Sequence, residues 1–213
     1  MRSLGVLISG RGSNLQALIT ASAAPDYPAR IALVIANRAD AGGLELARAA
    51  GLPTLVIRHQ DHADRSAFDA DLDRALRAAG VDLVCLAGFM RLLTPGFVAA
   101  WRDRLVNIHP SLLPSFKGTD GPAQALKAGV RIAGCTVHMV RAEMDAGPIL
   151  VQAAVPAHAD DSEASLAARI LAAEHVAFPR AIALVASGAI TIEGDRVRYR
   201  DQDTARSASL FLP

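Results

Sequence analysis

Asn107 and His109 occupy alternate positions of an apolar run, "LVNIHP", that stops at Pro110. On a strand, that spacing puts both side chains on one face. An asparagine amide can donate N–H to a developing oxyanion, and a histidine can give or take a proton near neutral pH. The pair suits addition to a carbonyl. A histidine in that role needs an acid to orient it, and "EMDAGP" supplies Asp145, preferred here over Glu143, with Gly147-Pro148 to shape the turn. A carboxylate beside His109 would favour the protonated ring. The same residues would also serve a polar strand-to-turn transition that ties down only backbone, and spacing alone leaves both readings open. No nucleophile is implied. Ser111 lacks the G-x-S-x-G elbow, and Cys85 and Cys135 lie in apolar runs without an activating neighbour.

A second constellation is "LISGRGSNLQAL", which sets Gly10, Gly12, Ser13 and Asn14 between a strand and a helix. Backbone N–H groups at a helix N-terminus, approached closely through glycines, make an anion site. The third glycine of a dinucleotide fingerprint would fall at Leu15, the next strand ends in Asn37 where an acidic ribose ligand is needed, and no G-K-[ST] follows. A monophosphate suits the loop better than a pyrophosphate. The competing reading is a tight turn in which Ser13 or Asn14 is an ordinary helix cap. His59 and His62 share a loop without a third ligand, and His138 alternates within a strand as a structural residue, so no metal site is expected.

These residues need a scaffold. Short apolar runs alternate with amphipathic ones: "LGVLIS" with "NLQALITASA", "IALVIAN" with "GGLELARAAG", "TLVI" with "SAFDADLDRALRAAG", and "VDLVCLAGF" with "TPGFVAAW", before "RLVNIH". Strands alternating with helices argue for βαβ units and a mostly parallel, Rossmann-like sheet, whose ligand crevice lies at the carboxyl ends of the strands. Both constellations fall at such ends. Beyond Pro110 come a loop, a short helix "AQALKAG", and two strands, "RIAGCTVHMV" and "GPILVQAAVPA", that extend the sheet as an antiparallel hairpin. A long helix follows from Ser162 to about Ala186, capped by Asp161 or Ser162 and kinked or divided at Pro179. The tail reads as a small hairpin over "EGD" and then a polar, poorly ordered end.

The composition narrows the function classes. At 213 residues the chain is expected to be one α/β domain. Hydrophobic residues make up 52% and charged residues 20%, with mean hydropathy +0.27, which suits strands covered on both faces. A net charge of +1 and a pI near 7.9 give no general attraction to nucleic acid. No apolar run approaches the roughly 20 residues that span a bilayer, and the start carries no signal-peptide pattern, so a cytoplasmic protein without membrane partners is expected. The two cysteines read as reduced core thiols.

Six blocks in order, "LISGRGSNLQALI", "LAGFMRLLTPGFV", "LVNIHPSLLPSF", "GCTVHMV", "EMDAGPILVQAAVPA" and "EHVAFPRAI", resemble the phosphoribosylglycinamide formyltransferases, the folate-dependent glycinamide ribonucleotide transformylases of purine biosynthesis. The resemblance runs from about Val6 to the end of the long helix. It implies the formyltransferase fold over residues 1–213: about 1–105 holding the nucleotide phosphate, about 106–190 carrying catalysis and folate binding, and about 190–213 a hairpin and tail. It implies phosphoribosylglycinamide as acceptor and 10-formyltetrahydrofolate as co-substrate, with no metal, in a monomer or homodimer. Gly12, Ser13, Asn14 and Glu174 match the residues that hold the ribonucleotide. Asn107, His109 and Asp145 match the catalytic trio of oxyanion donor, proton donor and the acid that keeps the histidine protonated. Arg65, Met90, Arg91, Leu92 and Leu93, the segment Arg141, Ala142, Glu143 and Met144, and Asn107 match the folate contacts.

Two departures stand out. Arg11 replaces a small polar residue, and Asp120-Gly121-Pro122 replace the histidine and threonine usual in the loop running from Ser115. Formyltetrahydrofolate deformylase, a hydrolase of the same fold, is the nearest alternative, but its first loop lacks the "SGxGSN" pattern found here. A non-enzymatic nucleotide or folate sensor would keep that loop and lose the trio.

Overall fold

The computed structural model describes residues 1–200. Five strands, β1 (Arg2–Ile8), β2 (Ala29–Ala36), β3 (Thr54–Val56), β4 (Leu83–Leu86) and β5 (Leu105–His109), run parallel. Parallel neighbours need crossovers, and α1 (Ser13–Ser22), α2 (Gly43–Ala49), α3 (Arg65–Ala78) and α4 (Pro95–Ala100) supply them. β6 (Ile132–Met139) and β7 (Ile149–Pro156) close the sheet antiparallel, in the order β3-β2-β1-β4-β5-β6-β7. The order reverses between β1 and β4, so a crevice opens there at the carboxyl ends of the strands.

The sheet is sandwiched between two apolar layers. On one face Leu4, Val6, Ile8, Val106 and Ile108 pack with Leu15, Leu18, Phe178 and Ile182 of α1 and α6 (Glu163–Ala186). On the other, Leu7, Ile35, Val84 and Leu105 pack with Phe68, Leu72, Leu76 and Trp101 of α3 and the end of α4. This two-sided cover explains why β1 reads as an unbroken apolar run.

Two expectations shift. Helix α5 (Gly121–Lys127) starts two residues earlier than its apolar pattern and takes Pro122 into its first turn, where a missing N–H breaks no helical bond. Helix α6 is capped by Ser162, whose side chain accepts from Ser165 N, and runs undivided through Pro179. Packing outweighs the lost bond there: Ala177, Phe178, Ala181 and Ile182 bury the surrounding turn, and Tyr27 Oη donates to Pro179 O at 2.7 Å. The expected hairpin forms as β8 (Ile190–Glu193) and β9 (Arg196–Tyr199). The polar end of the tail lies outside the described residues.

Candidate active site

The β1–α1 loop brings the backbone of Gly10 to Asn14 to the crevice. Helix α1 is capped by Gly12 in the left-handed region, φ 79°, without a side-chain cap bond. Ser13 and Asn14 are therefore the first helical residues instead of ordinary caps. A Cβ at residue 12 would stand 2.5 Å from Gly43 Cα, so the loop lies directly on the start of α2, and Gly43 N donates to Gly10 O at 3.0 Å. Asn14 Nδ2 donates to Glu174 Oε2 at 2.7 Å, and both residues are over nine-tenths buried. Burial raises the Glu174 carboxyl above its ordinary range, against the bond from Asn14. Asn14 Oδ1 has no partner among the described residues. A cleft of about 590 Å³ opens here, walled by the loop from Ser9 to Asn14, by Asn37, Arg38 and His59, by Met90 and Arg91, and by Ile108, Pro110 and Glu174.

Asn107 and His109 project from β5 on the face opposite Ile108, toward the α3–α4 layer. Antiparallel pairing sets Asn107 against His138 and His109 against Thr136. His138 Nδ1 lies 3.0 Å from Met139 O, and a carbonyl only accepts, so Nδ1 carries the hydrogen. Its Nε2 lone pair then accepts from Asn107 Nδ2 at 3.3 Å. Burial lowers the His138 pKa and keeps that ring a neutral acceptor. The amide of Asn107 is thus oriented, with its second N–H unpaired among the described residues.

His109 Nε2 lies 2.9 Å from Phe116 O, and Nδ1 lies 3.5 Å from Asp145 Oδ1. Both ring nitrogens face acceptors, an arrangement that a ring with two N–H groups satisfies. Asp145, at φ 49°, is held by Gly118 N, which donates to Oδ2 at 2.7 Å. The loop with the altered residues therefore joins the expected trio: Phe116 supports the histidine and Gly118 the aspartate. Thr136, fully buried, ties down the intervening turn; its Oγ1 donates to Ser111 O (2.7 Å) and accepts from Leu113 N (2.9 Å) and Gln152 Nε2 (3.0 Å). Cys135 lies next to it, its thiol pushed up to about 12 by burial, and Cys85 is raised further; both remain inert thiols.

The expected folate residues separate into groups. Met90 and Arg91 reach the cleft, while Leu92 projects 59% exposed and Leu93 packs on the α3–α4 core. Arg65 is exposed at the start of α3. Ala142, Glu143 and Met144 are exposed beside the trio, and Lys117 Nζ pairs with Glu143 Oε1 at 2.8 Å. Arg141 turns elsewhere: its guanidinium binds Asp103 at 2.8 Å and Asp195 of the β8–β9 turn at 3.1 Å. Sequence reasoning missed Asn37, His59 and Thr136, and took His138 as merely structural. The alternation of Thr136 and His138, matching that of Asn107 and His109 across a strand pair, was the available signal. Among the described residues no group of three or more His, Cys, Asp or Glu could hold a metal ion, and no helix is long and apolar enough to cross a membrane.

The arrangement pairs a glycine-rich loop at a helix start with an oriented asparagine amide and a buried histidine–carboxylate pair. The Formyl transferase family model matches residues 2–182. The phosphoribosylglycinamide formyltransferase of Escherichia coli (strain K12) is 44% identical over 183 residues, 86% of each chain. The trifunctional purine biosynthetic protein adenosine-3 of Drosophila melanogaster is 54% identical over 90% of this chain, but the chain spans only 14% of that protein's length, and 20% of the Bos taurus counterpart's. Among solved structures, glycinamide ribonucleotide transformylase 1 from Symbiobacterium toebii superposes with a TM-score of 0.92 at 52% identity, covering 94% of this chain and 95% of its own. A formyltetrahydrofolate deformylase from Pseudomonas syringae has the same fold at 25% identity, with 67% of its chain covered. With the fold, the order of the blocks and these matches in agreement, the chain belongs to the formyl transferase family.

Proposed function

We propose that the protein transfers the formyl group of 10-formyltetrahydrofolate to the amine of 5'-phosphoribosylglycinamide. The observation that supports this reading is that the cleft beside the glycine-rich loop reaches Ile108 and Pro110 at the end of β5, the residues that alternate with Asn107 and His109. The backbone of Gly12, Ser13 and Asn14 holds the phosphate, Arg11 adds its charge from the rim, and Glu174 faces the sugar and glycinamide. Met90 to Leu93, Arg65 and residues 142–144 receive the folate, so its site draws on both halves of the chain.

The acceptor amine attacks the formyl carbon to give a tetrahedral intermediate with O⁻ and N⁺. Asn107, oriented by His138, donates its free N–H to the oxygen. His109 donates a proton to the departing folate nitrogen as the C–N bond to folate breaks, and the ring, now neutral, takes up the proton that the attacking nitrogen loses; Asp145 balances the imidazolium before and after this exchange. The oxyanion donor is worth about 10²–10³ in rate and the positioned acid about 10²–10⁴. The intact loop at residues 9–14 favours transfer over hydrolysis. We place the enzyme in the cytoplasm, as a monomer or homodimer acting on small molecules.

The test follows the ultraviolet absorbance of a formyl-folate with and without phosphoribosylglycinamide. Deformylation that requires the ribonucleotide is expected. Formate released equally without it would replace this reading with the hydrolase.

A further inference from the structure

The segment Met90–Leu93 has little packing of its own. Met90 is 72% and Leu92 59% exposed and both are presented outward, while Leu93 packs on the α3–α4 core. Among the described residues, its hydrogen bonds lie at its two ends. At the first, Met90 N donates to Ser9 Oγ at 2.8 Å, where Ser9 closes β1. At the other, Thr94 gives two hydrogen bonds to one carboxylate oxygen, Thr94 N to Asp69 Oδ2 at 2.6 Å and Thr94 Oγ1 to the same atom at 2.7 Å. The Thr94 hydroxyl also accepts from Phe97 N and so caps α4.

Asp69 is an unusual residue to find there. It is a buried residue of α3, 4% exposed and next in sequence to Phe68 of the α3–α4 core, and its Oδ1 has no partner among the described residues. A buried carboxylate with an unmatched oxygen is costly for the fold. An asparagine would meet the same two donors at lower cost. A charged acceptor makes the bonds to Thr94 shorter and stiffer, and stiffness has value where a strap must hold a ligand-facing shape before the ligand arrives. Arg65 lies one turn earlier on the same helix, so α3 links the strap to a cation on the same side of the fold.

We infer that Asp69 is a positioning residue for the formyl donor: through Thr94 it fixes the far end of the 90–93 strap, while Ser9 fixes the near end. The inference rests on the proposed function, and its test keeps the two apart. In Asp69→Ala, hydrogen exchange at the Thr94 amide is expected to accelerate at least tenfold while the amides of β1 keep their protection. The KM for the formyl donor is expected to rise about tenfold, and the KM for the ribonucleotide to stay within about twofold. Asp69→Asn, which still accepts from Thr94 but without the charge, should recover only part of the donor KM. If Asp69→Ala fails to fold, Thr94→Val removes one of the two bonds and should give a smaller rise in the same KM. An enzyme that transfers formyl groups but shows both KM values rising together, or neither moving while Tm falls, overturns the positioning role. Wild-type protein that transfers nothing overturns the proposed function instead.

Discussion

Replacing Thr136 by valine removes a hydroxyl and adds a methyl of the same shape, so the core volume hardly changes. What is lost is a hub. Ser111 O, Leu113 N and Gln152 Nε2 each give up one hydrogen bond, but each keeps another: Leu113 N still reaches Ser111 O at 3.1 Å, and Gln152 Nε2 still donates to Leu113 O at 2.9 Å. None is fully orphaned, so the cost is that of three weakened bonds at about 0.5–1.5 kcal/mol each, offset in part by the buried methyl. The balance is a loss of about 2 kcal/mol, or about 4–8 °C in Tm for a chain of this length. Urea unfolding of wild type, Thr136→Val and Thr136→Ser measures it, the serine variant keeping the hydroxyl and losing about 1 kcal/mol or less. The turn that Thr136 ties also leads to Phe116, whose carbonyl supports His109, so kcat should fall with the valine and hold with the serine. A valine variant within about 0.5 kcal/mol of wild type, or a serine variant as damaged as the valine, would refute the hub.

His109→Ala should lower kcat by about 10²–10⁴ while leaving the affinity for a formyl-folate analogue nearly unchanged, checked by steady-state rates beside equilibrium binding. Asn107→Ala should cost about 10²–10³ in kcat by the same assay. Glu174 carries a pH signature. Its folded carboxyl is raised by burial, so from the ordinary glutamate value of 4.5 upward the folded state holds more proton than the unfolded one, and stability falls as pH rises through that window. Glu174→Gln should abolish this slope, seen as a smaller difference in urea midpoint between about pH 4 and about pH 8 than wild type shows.

The parallel half of the fold was legible because each strand carries an apolar run and each crossover an amphipathic one, and the two-sided cover leaves little ambiguity of face. The grouping of Asn107, His109 and Asp145 was legible only in part: alternation put Asn107 and His109 on one face of a strand but left a structural role open, and the resemblance singled out Asp145 as their companion. Long-range partners were not. Nothing local to "GCTVHMV" says that His138 will face Asn107, since the β5–β6 register is set across a loop and a helix. The direction of Arg141 depended on a hairpin more than fifty residues later, and the first turn of α5 on the tolerance of a helix start for Pro122. The buried contact of Asn14 with Glu174 joins residues 160 positions apart.

The contact between Gly12 and Gly43 reaches beyond this site. A Cβ at residue 43 would stand 2.7 Å from Ile8 Cδ1 and 3.0 Å from Gly12 Cα. Position 43 is therefore tight, since any side chain there must turn the tip of Ile8 aside and push Gly12 by a few tenths of an ångström, although it belongs to the second crossover. A saturation scan scored only by growth would count its bulkier replacements with those of His109. Read alone, such a scan would enlarge the active site by a residue whose whole contribution is the room it leaves for a neighbour, and measuring bound phosphate separately from turnover would tell the two kinds of intolerance apart.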